Sequence, residues 1–527
     1  MSSKHPLFSD FFNDELARRA GIIDIKGDLK TPVSALVYDS RAAAPESLFF
    51  ALPGIHADGH TYIDNALARG ARTVVHEKPL DGGQGHSLFV RVKDARFAMS
   101  PVAAAYHGEP SKKLCVIGVT GTEGKSTTVY LIFQLLRLAG KKCGFISTVE
   151  YSVDGTEKPN PEHQTTPEAT QIHAQLAAML AHGAQYAVIE SSSHGLSPRT
   201  NRLGDVEFDA AVMTNVTHEH LEFHGSFERY RHDKANLFRA LDGANHRKLI
   251  GAAPRDVPAF GVVNAADPSA EYFKAACSVP VYSFYAAGGE ADYRIFGLKS
   301  TAEGNEYGIR NTLTGEKAMV KDMLPGAFNA GNVLASLIAV SRLLPELSLA
   351  SLAGFVPYLK PVRGRMTRIQ RGQDFEVIVD YAHTPSSFEA IFPPIRNRIG
   401  KNGRIIALFG SGGERDTQKR PLQGKIASQW ADIIILTDED PRGEEPEAIL
   451  EDIARGVEGK RRGESLFLIP DRPEAIRAAF KLARTGDIVL LLGKGHENSI
   501  IYSRAGKKTI AYDEISAAES ALDEIPG

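Results

Sequence analysis

The chain has 527 residues, too many for one ordinary hydrophobic core, so two to four domains are expected. Hydrophobic residues make up 43% and charged residues 24%, and the formal net charge is −3, which excludes a basic nucleic-acid surface and an acidic disordered chain. Cys115, Cys143 and Cys277 are far apart and form no CxxC pair, as in a reducing compartment. No apolar run approaches the ~18–20 residues of a spanning helix, and the Met-Ser-Ser-Lys-His-Pro start lacks a signal-peptide core. A cytoplasmic protein with no membrane and no nucleic-acid partner, acting as a monomer, is expected.

Short apolar runs recur along the chain, each followed by a turn and a helical pattern. In order they are Leu114 to Val119, Tyr186 to Ile189, Ala210 to Met213, Ile405 to Phe409, Ile433 to Leu436 and Ile488 to Leu492. Buried strands alternating with helices predict parallel α/β sheets, with ligands beyond the strand C-termini. Three α/β domains are expected. Residues 1–111 form a small domain that ends in a polar stretch, and residues 112–358 form a central P-loop-type ATPase domain with a parallel sheet. Residues 359–527 form a Rossmann-like domain behind the Pro/Gly/Arg-rich stretch that begins at Lys360.

The strongest local signal is the run Gly118-Val-Thr-Gly-Thr-Glu-Gly-Lys-Ser-Thr-Thr128 between a strand and a helix. Gly121, Thr122 and Gly124 let backbone N–H groups approach phosphates, Lys125 reaches the terminal phosphates, and Ser126 or Thr127 suits Mg²⁺. The first Gly of a full GxxxxGK[ST] motif is replaced by Val119, so the loop is a shorter TGTxGK[ST][ST] form. Alone it points to a nucleoside triphosphate and no further.

The short loop resembles that of the Mur ligase family and its folylpolyglutamate-synthase relatives. Further stretches resemble the Mur ligases in family order over nearly the whole chain. They are Asp39-Ser-Arg41 with Asp58-Gly-His60, Thr165-Thr-Pro167, Glu190-Ser-Ser-Ser-His-Gly-Leu196, and Thr214-Asn215 with His220 and Lys234. Gly364-Arg-Met366, Asp380-Tyr-Ala-His-Thr-Pro385, Gly412-Gly-Glu-Arg-Asp416 with Lys419-Arg-Pro421, Asp440-Pro-Arg442 and Gly493-Lys-Gly-His-Glu497 follow.

The resemblance is greatest to the member that adds a diamino acid as third residue of a cell-wall precursor peptide. It implies an ATP-dependent ligase of peptidoglycan synthesis, and so of cell shape and division. A carboxylate is activated as an acyl phosphate and an amine then displaces phosphate. The implied substrates are UDP-MurNAc-L-Ala-D-Glu and meso-diaminopimelate, lysine or ornithine, with ATP and Mg²⁺.

By the same resemblance, Glu190, His220 and a carbamylated Lys234 join Ser126 at Mg²⁺, and Lys125, Glu190, His220 and Lys234 are catalytic. Asn332, Arg365 and His383 contact the nucleotide with the Gly-rich loop. Ser40, Arg41 and His60 hold the uridine diphosphate end, Arg41 through its fork. Thr165, Thr166 and Ser192 meet the sugar-peptide part, with Arg199 or Arg202 on the reacting carboxylate. Arg415, Asp440, Arg442, Gly493 and Glu497 bind the amino acid. Arg442 suits a side-chain carboxylate and Asp440 a terminal ammonium, so the added residue stays open.

Two departures stand out. Glu123 replaces the usual Asn of the loop, and Glu439-Asp440 replaces Asp-Asn. A sister ligase on the same fold, or a P-loop ATPase switch that makes no amide, are the alternatives.

Overall fold

In the computed structural model, residues 5–54, 57–80, 87–161, 164–217, 219, 221–251, 253–286, 289–301, 304–399, 403–502 and 508–524 are described. They divide into two compact units. The first comprises residues 1–125, 132–283 and 342–344, and the second residues 126–131, 284–341 and 345–527.

The first unit opens with a five-stranded sheet in the order Ile22–Lys26, Leu88–Val92, Thr73–His76, Leu48–Phe50, Leu36–Val37. All pairs are parallel except the first. Alternation sends Leu48, Phe50, Val75 and Val90 into one core and Phe49, Val74 and Phe89 into another, so both faces are covered.

A second sheet follows. Its parallel strands run in the order Phe260–Asn264, Ala210–Met213, Cys115–Thr120, Tyr186–Glu190, Cys143–Ile146. Cys115–Thr120 is buried throughout, which explains its unbroken apolar sequence. Register sets Glu190 beside Val119 and Met213 beside Thr120, so three strand ends open at one place. That place is where the topology of an open α/β sheet puts a ligand.

In the second unit, Tyr293–Ser300, Asn305–Asn311 and Lys317–Asp322 form an antiparallel meander. A six-stranded sheet follows in the order Thr367–Ile369, Glu376–Asp380, Ile488–Leu492, Ile405–Phe409, Ile433–Leu436, Leu466–Leu468, parallel after its first pair. The helices Pro385–Ile399, Lys419–Trp430 and Pro446–Ala454 cover one face. Arg472–Leu482 and Glu514–Asp523 cover the other. This is the doubly wound arrangement expected of the C-terminal region.

The strands expected at 405–409, 433–436, 488–492 and 210–213 are observed with those bounds. The expected strands at 114–119 and 186–189 are observed at 115–120 and 186–190. Among the described residues no helix is long and apolar enough to cross a membrane.

Candidate active site

The phosphate loop is held from its neighbours. Gly121 has φ 152°, and a Cβ there would lie 1.9 Å from Thr214 Oγ1. Only glycine fits this turn. Thr214 Oγ1 donates to the Glu123 carbonyl at 2.6 Å, and Asn215 Oδ1 accepts from the Glu123 N–H at 2.8 Å. The Thr122 hydroxyl accepts from the Thr217 N–H at 2.9 Å and lies 3.0 Å from the Tyr230 hydroxyl. Glu123 is therefore clamped through its backbone. Gly124 is left-handed, and the helix Lys125–Leu138 starts directly after it, with Lys125 Nζ 2.8 Å from the Thr122 carbonyl.

Glu190 ends its strand almost fully buried, and its Oε2 accepts from the Thr148 N–H at 2.8 Å. Lys234 lies on the helix Phe227–Gly243, which is capped by the Ser226 side chain, bonded from Arg229 N–H. Its side chain is 2% exposed, and its Nζ donates to the Gly121 carbonyl at 2.5 Å and sits over the Tyr230 ring. Burial, then the nearby Lys125 charge, push its amine well below the ordinary lysine range, against the pull of Glu219, Glu190 and Glu123. On the same helix Asp233 bonds His224 Nδ1 at 2.9 Å, and His224 Nε2 meets Ser193 Oγ at 3.0 Å. That buried chain links the helix of Lys234 to the turn after Glu190. Sequence reading did not single out Tyr230 or His224. His220 lies outside the described residues.

Next to Glu190, the Thr166 hydroxyl bonds the Glu190 carbonyl at 3.0 Å and Ser192 Oγ at 2.9 Å. Thr165 precedes it in the same loop. Arg202 donates to the Thr166 carbonyl at 2.8 Å and to Glu168 at 2.9 Å. Arg199 instead turns to the Phe223 carbonyl and ring. Of the two arginines, Arg202 is the one joined to this cluster.

In the N-terminal sheet, Asp39 caps the turn of Ser40 and chelates Arg41, whose side chain is 83% exposed. His60 bonds Asp58 Oδ1 at 2.6 Å and accepts the Glu77 N–H at 3.0 Å, so both ring nitrogens are engaged. Asp58 is held below the usual carboxylate range, first by Lys78 and then by His60.

At the strand ends of the C-terminal sheet, a second cluster forms. Lys494 is 1% exposed and donates to Asp440 Oδ1 at 3.0 Å and Glu497 Oε2 at 2.5 Å. Asp440 Oδ1 also accepts the Ile501 N–H at 3.0 Å, and its Oδ2 lies 3.7 Å from Arg442. Glu497 further meets the Tyr381 hydroxyl at 3.3 Å. Gly493 has φ 101° and faces Glu439, and its Cβ would lie 2.9 Å from Glu439 Oε2. Arg415 is exposed on the loop that follows Gly412. Buried Arg420 pins that loop to Glu444 and to the Gly412 carbonyl.

Buried Arg472 donates to the Asp438 carbonyl at 2.9 Å, the Leu492 carbonyl at 2.8 Å and both oxygens of Glu514. It thereby ties together the turns that carry Glu439 and Gly493. Arg365 stacks over Tyr381, whose carbonyl accepts from His383, and Asn332 bonds Asn329. Neither Lys494 nor Arg472 was assigned a role from sequence.

Comparison with known proteins fits this geometry. Three family descriptions match the chain: the Mur ligase family catalytic domain over residues 32–107, the Mur ligase middle domain over 119–340, and the Mur ligase glutamate ligase domain over 364–495. The chain belongs to the Mur ligase family and is an ATP-dependent amide-bond-forming ligase.

Within that class, it is 50% identical over 528 residues to a UDP-N-acetylmuramyl-tripeptide synthetase of Treponema denticola, covering 96% of this chain and 97% of that one. It is 37% identical to a UDP-N-acetylmuramoyl-L-alanyl-D-glutamate--2,6-diaminopimelate ligase of Geobacillus kaustophilus, covering 93% and 95%. A solved structure of a ligase with that last name superposes at TM-score 0.63 and 28% identity, covering 98% and 99%.

Proposed function

We propose that the chain adds a diamino acid to UDP-MurNAc-L-Ala-D-Glu, making a peptidoglycan precursor in the cytoplasm. The observation that carries this reading is the full-length likeness to tripeptide synthetases. The assignment of domains 1–111, 112–358 and 359–527 to the uridine nucleotide, ATP and the amino acid belongs to the same proposal.

The Gly121–Lys125 loop cradles the phosphates, with Ser126 and Thr127 at the helix start. By the family resemblance, Asn332, Arg365 and His383 are assigned to the nucleotide. The reacting carboxylate attacks the terminal phosphorus, ADP leaves, and an acyl phosphate forms. The amine then attacks the acyl carbon and phosphate departs with the former carboxylate oxygen. Both steps need positioning and neutralised charge more than covalent help from the protein.

Two features support Mg²⁺ at this site: the buried carboxylate of Glu190 and the buried amine of Lys234. Burial disfavours the ammonium form of Lys234 and so favours the neutral amine, the nucleophilic form. It can attack CO₂ and lose a proton, which gives a carbamate with two hard oxygen donors. Ser126 and His220 would complete the set, and the cation would offset phosphate charge.

Ser40, Arg41 and His60 serve the uridine diphosphate end. Thr165, Thr166 and Ser192 serve the sugar-peptide part, with Arg202 rather than Arg199 on the carboxylate. Arg415, Arg442, Gly493 and Glu497 frame the amino acid, while Asp440 braces Lys494.

The test is a product assay with ATP, Mg²⁺ and the dipeptide substrate, offering meso-diaminopimelate, lysine and ornithine in turn. One new amide per ADP supports the reading. ADP without amide would favour an ATPase switch, and an amide only with another substrate pair a sister ligase.

A further inference from the structure

Glu168 stands at the N-cap of the helix Ala169–Ala181, at the seam between the N-terminal sheet and the sheet of the phosphate loop. Ala169 beside it packs into the N-terminal core with Leu48, Val75 and Val90. The Glu168 side chain is buried, and its carboxylate is shared by two arginines, one from each side of that seam. Oε1 accepts from Arg202 at 2.9 Å, and Oε2 lies 3.5 Å from Arg96, on the helix Ala95–Tyr106. Arg202 also donates to the Thr166 carbonyl at 2.8 Å, and the Thr166 hydroxyl reaches the Glu190 carbonyl and Ser192.

On the N-terminal side the path continues to His60, which we assign to the uridine diphosphate end. The Ala95 N–H, next to Arg96, donates to Glu77 Oε1 at 2.8 Å, and the Glu77 N–H donates to His60 Nε2 at 3.0 Å. A guanidinium is a flat fork, so tethers on both terminal nitrogens fix its plane. Arg202 has those two tethers, Thr166 and Glu168, while its Nε is buried with no hydrogen-bond partner. A buried donor left unmet is costly until an acceptor arrives. Arg96, Glu168 and Arg202 together carry one net positive charge, which suits one incoming carboxylate.

We propose that Glu168 is the positioning residue of Arg202. It sets the guanidinium plane that meets the reacting carboxylate and, through Arg96, ties that grip to the sheet region that carries His60. This deepens the proposed function and rests on its assignment of Arg202. A binding group has to be held within about 0.5 Å and ~10–20° of its productive geometry by neighbours that lock its rotamer. Without Glu168 the guanidinium swings about one tether, and the carboxylate is held little better than a neutral group of its size.

Titration calorimetry on the full chain, with a non-hydrolysable ATP analogue present, tests this. It compares the dipeptide substrate with the same molecule carrying an amide in place of the reacting carboxylate. Wild type should bind the acid at least about tenfold tighter than the amide, the worth of one hydrogen bond to a charged group. Glu168→Ala should bring that ratio below about threefold, with the affinities for the amide and for the nucleotide unmoved. Glu168→Gln keeps an acceptor of the same reach and should restore most of the ratio, which a loss of charge alone would not allow. Arg96→Met, at the partly exposed end of the set, should lower the ratio about threefold. A ratio that stays at the wild-type value in Glu168→Ala or in Arg96→Met, or is lost equally in Glu168→Gln, overturns the proposal, and the Arg96→Met arm decides where Glu168→Ala does not fold. A wild type that binds acid and amide alike overturns the role given to Arg202 beneath it.

Discussion

Replacing Arg472 by Met removes the cation that joins the turns carrying Glu439 and Gly493, where we place the amino-acid pocket. Its guanidinium is 0% exposed and makes four charge-assisted bonds, at 2.9 Å to Asp438 O, 2.8 Å to Leu492 O, and 2.8 and 2.6 Å to the Glu514 carboxylate. Met fills similar volume, so little cavity forms. What remains is a buried Glu514 anion beside the Tyr512 hydroxyl, and the Asp438 and Leu492 carbonyls lose the donor that Arg472 supplied. Breaking a buried pair from one side costs about 3–5 kcal/mol, a large part of a domain's ~5–15 kcal/mol. Removing both charges, as Arg472→Met with Glu514→Leu, should recover much of that loss, because no uncompensated charge is left.

Urea unfolding of the full chain, followed by circular dichroism, reads the midpoints. Amide formation reads the pocket in whichever variant folds. The double variant should show a raised KM for the amino acid with KM for ATP within about twofold of wild type. If Arg472→Met is as stable as wild type, or the double variant no more stable than the single one, the clamp does not carry this energy. If KM for ATP rises with that for the amino acid, the effect is not local to the pocket.

Gly121→Ala should abolish ATP binding, read by titration calorimetry, because a Cβ would lie 1.9 Å from Thr214 Oγ1 in a backbone region that disfavours side chains. Lys234→Ala should retain nucleotide binding but lose amide formation. In wild type, carbon-13 NMR with labelled bicarbonate should reveal a carbamate signal that the variant lacks.

Asp438 has its carboxyl raised from 3.8 to about 6, chiefly by burial. The folded state therefore binds its proton more tightly than the unfolded state does. This stabilisation is full below the unfolded value and lost as pH rises through about 6. After screening, Asp438→Asn should remove about 1–2 kcal/mol of that loss. Tm measured from pH 5 to 8 should then fall less in the variant than in wild type.

Much of the framework was legible locally. Runs such as Ile405 to Phe409 are buried on both faces, so they read as unbroken apolar stretches. The Gly-rich loop announced itself because phosphate binding needs backbone N–H groups and a helix start in one short span.

What escaped depends on residues far apart in sequence. The buried amine of Lys234 donates to the Gly121 carbonyl, 113 residues away, a contact no local pattern shows. Lys494 has no role assigned from sequence, yet it donates to Asp440 across 54 residues. Arg472 and Glu514 meet only when two helices cover the same sheet face.

The central claim is that this chain couples ATP to amide formation through an acyl phosphate. Oxygen-18 placed in the reacting carboxylate of the dipeptide substrate tests it most directly. One labelled oxygen should appear in the phosphate released for each amide formed, read by mass spectrometry. Amide formed with unlabelled phosphate would contradict the account.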